Sequence, residues 1–384
     1  DTITVSITAI SGTAPTTSAT ARTIKVGGAW AGPATTVSFP IGFAAATMTD
    51  ASGNYPRINF KGGVTYSVTA AMTNAINGPG FWEGYTTTVG DGGRATIDGG
   101  AAGTSYIVLT HSGTNNNWKN IIFNHNGNSG SANLTSISGV ENVFDGVVFA
   151  NGYRSGLITS AGVVCIECEF YGNNIGSNAG SGGADTDSGS EFYWCNFHDQ
   201  AGTTNGDGLN ASNNVTVENC IFDSNPGVGL SFSGTGRLNV AQCDFYNNTS
   251  DGLEITTASA ITAFVQNSNF TKNGGWAINS SNAARVGKGQ NNGYGTGTQA
   301  NVGGNVTGMG SWQDLNPVTF ATDATPYVAP TTGDFDITLA TAKAAGRGTF
   351  TQTDGTNTGT LGVPTIGASQ PSAAGGATQT SHSY

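Results

Sequence analysis

Seven phenylalanines, Phe123, Phe149, Phe170, Phe197, Phe222, Phe245 and Phe270, recur at steps of 26, 21, 27, 25, 23 and 25 residues. Other positions keep step with them. Five residues before each stands Trp118, Phe144, Cys165, Phe192, Val217, Val240 or Val265. Two before come Ile121, Val147, Cys168, Cys195, Cys220, Cys243 and Ser268, and three after come Asn126, Gly152, Asn173, Gln200, Asn225, Asn248 and Asn273. A second phase follows each turn as Gly-Leu: Gly156-Leu157, Gly208-Leu209, Gly229-Leu230 and Gly252-Leu253. Each unit of about 23 residues therefore reads as three short strands with side chains alternating in and out. Such a unit cannot close a core alone, but stacked units can.

Composition agrees with strands and turns. Of 384 residues 59 are glycine and only 10% are charged, a mix poor in helix formers. The net charge is −11, from 13 basic and 24 acidic residues with no Lys/Arg cluster, which argues against a nucleic-acid partner. No apolar run approaches the roughly 20 residues of a membrane span. The chain opens on Asp1 rather than methionine. With the composition, this gives the expectation of a processed protein that is secreted or held at the cell surface.

The repeat resembles the right-handed parallel β-helix of the pectate-lyase-like families, closely over 118–281 and more loosely from about residue 56. The expected fold is all-β: one right-handed parallel solenoid with an N-terminal extension strand and an irregular C-terminal closing segment. The expected divisions are strand and linker at 1–22, early coils at 23–117, regular coils at 118–281, and C-terminal coils, loops and closing segment at 282–384.

In this register Cys168, Cys195, Cys220 and Cys243 form one inward column with the phenylalanines. A linear column does not supply the convergent ligands of a zinc site. Parallel side-chain vectors also do not aim sulfurs at one another. The reading favoured is free thiols packing as small apolar groups, with one or two disulfides as the alternative. Asn173, Asn225, Asn248 and Asn273 read as a ladder of stacked amides at a turn.

Candidates for chemistry are few. "NGDGLN" at 205–210 resembles part of the Asn-x-Asp-Gly element of polygalacturonase-like hydrolases, which makes Asp207 a catalytic candidate. Asp251 stands in the same place two coils on, with Glu254 beside it. The paired Asp-Asp, Gly-His-Gly and Arg-x-Lys elements of those enzymes are missing, and turn chemistry alone favours Asp before Gly. Asp185, Asp187 and Glu191 form an acidic loop that could supply oxygen ligands to calcium. No other cofactor is indicated. His111, His125 and His198 read as surface polar residues near strand ends.

"DTITVSITAI" at the N-terminus sets Ile3, Val5 and Ile7 on one face, followed by a small-residue linker. A lone strand is unstable in water and must join a sheet, its own or a neighbour's. Donation to a neighbour, head to tail, generates filaments. The leading functional expectation is thus a non-catalytic structural or adhesive β-helix that self-associates. A polysaccharide lyase or hydrolase is the alternative, and a tailspike-like receptor binder the second.

Overall fold

The computed structural model describes residues 57–63, 65–68, 71–74, 78–100, 106–125, 132–187, 189–203, 205–256, 261–280, 286–295, 306–307, 313–315, 318–320, 327–329 and 334–337. The proposed assembly strand with Ile3, Val5 and Ile7 lies outside them, as do the linker and most of the closing segment. Among the described residues every regular element is a β-strand. Strands are dealt in rotation to three parallel sheets of 11, 11 and 10 strands. The result is a right-handed parallel β-helix. The first sheet runs from Arg57–Lys61 to Gln313–Leu315, the second from Thr65–Ser67 to Val318–Thr319, and the third from Met72–Asn74 to Val306–Thr307. A separate antiparallel pair joins Tyr327–Ala329 to Asp334–Ile337.

The repeat phases map directly onto the sheets. The phenylalanines pair in register along the second sheet, and each is buried. From Phe149 to Phe270 their rings stack face to face at 4.5–4.9 Å, the spacing of the strands that carry them. The column continues beyond the phenylalanines as Tyr66 and Ile97 on one side and Tyr294 on the other. Trp118, Phe144, Cys165, Phe192, Val217, Val240 and Val265 line the first sheet, and Leu157, Ala184, Leu209, Leu230, Leu253 and Ile278 line the third. These three columns meet in one continuous core.

Two turns per coil are built on residues in the left-handed conformation. Three residues before the phenylalanine stand Asn120, Gly146, Glu167, Trp194, Asn219, Gln242 and Asn267, all with φ between 49° and 63°. Two residues after it stand Asn151, Gly172, Asp199, Ser224, Asn247 and Lys272 in the same region. Asn recurs there because it tolerates that conformation better than other non-glycine residues. The glycine before each leucine has a different cause. A Cβ on Gly208 would lie 2.5 Å from the carbonyl oxygen of Gly229 on the next coil.

All five cysteines are free thiols and buried. Burial pushes the Cys165, Cys168 and Cys220 thiols up, so they remain protonated. Each rung thiol donates to a carbonyl of the preceding coil, Cys220 to Phe192 at 3.5 Å and Cys243 to Val217 at 3.5 Å. The Cys195 amide in turn donates to Cys220 Sγ at 3.3 Å. Ser268 and then Asn292 continue the column with oxygen acceptors. The thiols therefore act as polar turn clasps as well as apolar filler.

Candidate functional site

On the third sheet each inward leucine is followed by an outward side chain. In successive coils these are Ile158, Asp185, Asn210, Ser231, Glu254 and Asn279, paired in register. Two residues before the leucine a second column carries Ser155, Asp207 and Asp251 on alternate coils. Asp207, Glu254, Asp251 and Asp185 thus share one strip, although the sequence assigned Asp185 to a different group. Only the stacking order brings them together.

Their environments differ. Asp207 Oδ1 accepts the Val228 amide at 2.8 Å. Burial, then the charges of Glu254 and Asp185, push its carboxyl up to about 7. Asp185 accepts the Ser155 hydroxyl at Oδ2, while its Oδ1 is buried without a partner. Burial, aided by the charge of Asp187, raises it to about 6 against the opposing pull of Ser155, Asn210 and Arg154. Glu254 is half-buried and raised by burial and by Asp251. Asp251 is committed elsewhere: it accepts the Trp276 amide and Asn279 Nδ2 and is only 5% exposed. Of the three catalytic candidates, Asp207 and Glu254 keep an oxygen for chemistry, and Asp251 clasps a turn.

The calcium candidates do not share a locus. Asp185 lies on the third sheet, Asp187 is exposed in the turn after it, and Glu191 lies on the first sheet, accepting the Tyr193 hydroxyl at 2.9 Å. Among the described residues no three His, Cys, Asp or Glu side chains are placed to hold a metal ion.

Two further polar groupings escaped the sequence reading. A shallow groove on the first sheet is lined by Glu191, Thr216, Asn239 and Arg237, with the Arg237 guanidinium 5.0 Å from the Phe264 ring. On the second sheet His198 bonds Glu169 at 3.1 Å and Asp199 at 3.0 Å, with Tyr171 stacked on its ring. Burial opposes the charge on His198, but the two carboxylates prevail and raise it. Glu169 and Asn196 pair across adjacent strands, and so do Tyr171 and His198. The partners could be named only by knowing how many residues each turn consumes.

The comparisons with known proteins agree with the fold. Residues 132–292 match the family described as right handed beta helix region. The chain has the pectate-lyase-like fold. No curated protein matches it. A pectate lyase crystal structure aligns over 83% of this β-helix and 89% of its own chain, at 16% identity and a TM-score of 0.51. The A-module of a mannuronan C-5 epimerase from Azotobacter vinelandii aligns over 73% of this chain and 90% of its own, at 11% identity and 0.52. At such identities the likeness is one of fold. Among the described residues no helix is long and apolar enough to cross a membrane.

Proposed function

We propose that this β-helix is an extracellular protein that binds a polysaccharide along the outer strip of its third sheet and hydrolyses it there. The observation that carries the reading is Asp207: a carboxyl fixed by the Val228 amide and raised to about 7, on one strip with Asp185, raised to about 6, and with Glu254. Carboxyl groups whose environments push their proton affinities apart are how one site supplies both an acid and a base at neutral pH. Two solved neighbours are named for chemistry on polysaccharides, which supports the substrate class without assigning the reaction.

In this reading protonated Asp207 gives its proton to the glycosidic oxygen as that bond breaks. Water attacks the anomeric carbon and loses its proton to Glu254. Glu254 stands two coils from Asp207, about 9.6 Å along the stacking axis, and three residues further along its strand. Carboxyls held apart in this way leave room for a water between them, as an inverting hydrolysis requires. Asp207 Oδ1 is fixed by the Val228 amide, so Oδ2 is the oxygen that carries the proton.

The test is release of reducing ends from a panel of neutral and acidic polysaccharides. Asp207→Asn and Glu254→Gln are each expected to lower the rate by about 10²–10⁴-fold. A panel in which no polysaccharide yields reducing ends above background overturns the reading.

Self-assembly is the second reading. The strict alternation of Ile3, Val5 and Ile7 favours it, as does the need of every β-helix to cover its end strands. It expects filaments of the intact chain in negative-stain microscopy and none after deletion of residues 1–10. Monodisperse monomers of the intact chain at high concentration would dismiss it.

A further inference from the structure

We infer that the first sheet carries a second glycan-binding site, an aromatic platform of Trp194 and Tyr193 that continues into the groove at Arg237. Its ligand class rests on the polysaccharide reading above, but the site needs no catalysis on the third sheet.

Trp194 stands where the chain least favours it. It fills the left-handed turn position between the first and second sheets, with φ of 54°. Other coils put Asn, Gly, Gln or Glu there, as at Asn120, Gly146, Gln242 and Glu167. A bulky side chain in that region is strained, and such strain collects where a side chain serves function. The fold has a structural use for the position, since Asn291 donates to Asn267 Oδ1 at 3.1 Å across adjacent coils. An indole has no acceptor with which to continue that ladder. Nor does Trp194 fill the core. Unlike Trp82 and Trp118 it lies outside the buried cluster and keeps part of its surface in solvent.

The surroundings of the indole suit a sugar. Its ring lies 6.0 Å from that of Tyr193, the last residue of the first-sheet strand Ser190–Tyr193. The Tyr193 hydroxyl donates to Glu191 Oε2 at 2.9 Å, which fixes the phenol ring. Ile166 pairs with Tyr193 and Val164 with Glu191, both partly exposed, so the rings edge an outward apolar patch. The polar part begins at Glu191, which is in register with Thr216 and then Asn239 on successive strands. Arg237 donates through Nε to Asn239 Oδ1 at 2.8 Å, and its guanidinium lies 5.0 Å from the Phe264 ring. Two contacts thus hold the guanidinium and leave its other N–H groups for a ligand. None of these groups is sealed: Arg237 is exposed, and Trp194, Tyr193, Glu191, Thr216 and Asn239 are partly so.

A pyranose carries C–H bonds over its faces and hydroxyls around its rim. Indole and phenol rings take the face, while carboxylate, amide and guanidinium meet the hydroxyls as acceptor and donors. A protein partner fits less well. Glu218 pairs with Tyr193 in register and Glu191 stands on the same strand. A protein interface centred on the rings would bury both acids, which interface cores avoid.

The experiment is affinity electrophoresis of the full chain in gels holding dextran, mannan, mixed-linkage glucan, arabinoxylan or polygalacturonate, with urea unfolding of the same preparations. Wild type is expected to be retarded by at least one glycan, and Trp194→Asn to bind that glycan at least about tenfold more weakly. Because Asn relieves the strained turn, the urea midpoint of Trp194→Asn is expected to rise, so loss of fold cannot explain the loss of binding. Asp207→Asn is expected to stay retarded, since the platform and the acidic strip lie on different sheets. A lower midpoint for Trp194→Asn would make the indole a packing residue and overturn the inference, as would unchanged retardation of that variant. Self-association of wild type in sedimentation, lost in Trp194→Asn, would mark a contact between copies and overturn it too. Retardation by no glycan also overturns it, and release of reducing ends then leaves the hydrolase reading standing. Retardation that depends on Trp194 without any release of reducing ends keeps this site and removes the hydrolase.

Discussion

Asn225 donates its side-chain amide to Asn248 Oδ1 at 2.8 Å, yet Asn225 Oδ1 is itself buried without a partner. The rung before it is Gln200, one methylene longer than the asparagines on either side. From Asn225 through Asn248 to Asn273 the ladder is unbroken. Asn248 Nδ2 bonds both Asn273 Oδ1 at 2.9 Å and the Phe222 carbonyl at 3.0 Å, and the Asn225 amide bonds Asn248 Oδ1. Gln200→Asn is expected to close the gap and stabilise the protein by about 1 kcal/mol, the usual net worth of a hydrogen bond. Asn248→Ala is expected to cost about 3 kcal/mol, because it strands donors of Asn225 and the Phe222 carbonyl. Urea unfolding of the two variants measures both signs.

The left-handed turns make a second prediction. Glu141 and Glu167 are exposed, with φ of 59° and 52°. A non-glycine residue in that region costs about 1–2 kcal/mol, and Asn less. Asn120, Asn219 and Asn267 already hold the position that Glu167 holds in its coil. Glu167→Asn and Glu141→Asn are each expected to stabilise by about 0.5–1 kcal/mol, read as a shift of the unfolding midpoint at unchanged slope.

The thiol column separates apolar from polar roles. Ser268 fills a cysteine rung and accepts the Cys243 amide at 3.1 Å. Cys220→Ser is therefore expected to cost under about 1 kcal/mol. Cys220→Val matches the thiol for apolar character but leaves the Phe192 carbonyl and the Cys195 amide unsatisfied, at about 1–3 kcal/mol. If the thiols were apolar filler alone, the order would reverse. Native protein is also expected to resist alkylation, since all five thiols are buried away from solvent.

What the sequence made legible follows from this contrast. Phe123 to Phe270 recur at near-constant steps because every coil must place one side chain at the same depth. That periodicity alone yields the fold. The cysteine rungs could be placed but not fully understood, because the carbonyl that each thiol meets belongs to another coil. The site was less legible still. Asp207 and Glu254 were visible as acids near glycine turns. Asp185 was grouped by sequence proximity with Asp187 and Glu191, but the register pairs it with Asn210. Loops of unequal length hide such neighbours, as they hid Glu169 from His198. Asp251 shows the opposite error: it fills the same motif position as Asp207, but its second oxygen is also spent, on Asn279 Nδ2.

Asp207 makes the last prediction through its protonation. Its carboxyl ionises near 7 in the folded chain and near 3.8 when unfolded. Between those values the folded state binds more protons, so stability falls as pH rises from about 4 to 7 and stays low above. Three pH units correspond to an upper bound of about 4 kcal/mol, which relaxation reduces. Asn at this position is uncharged and can still accept the Val228 amide through its own oxygen. Asp207→Asn is accordingly expected to unfold at nearly the wild-type temperature at pH 4.5 but at a higher one at pH 8, by several degrees. The same substitution is expected to abolish reducing-end release. Stability gained where activity is lost would mark Asp207 as a residue held at a cost to the fold. Equal or lower stability of the variant at pH 8 would mean that its carboxyl is neither buried nor crowded enough to act as an acid.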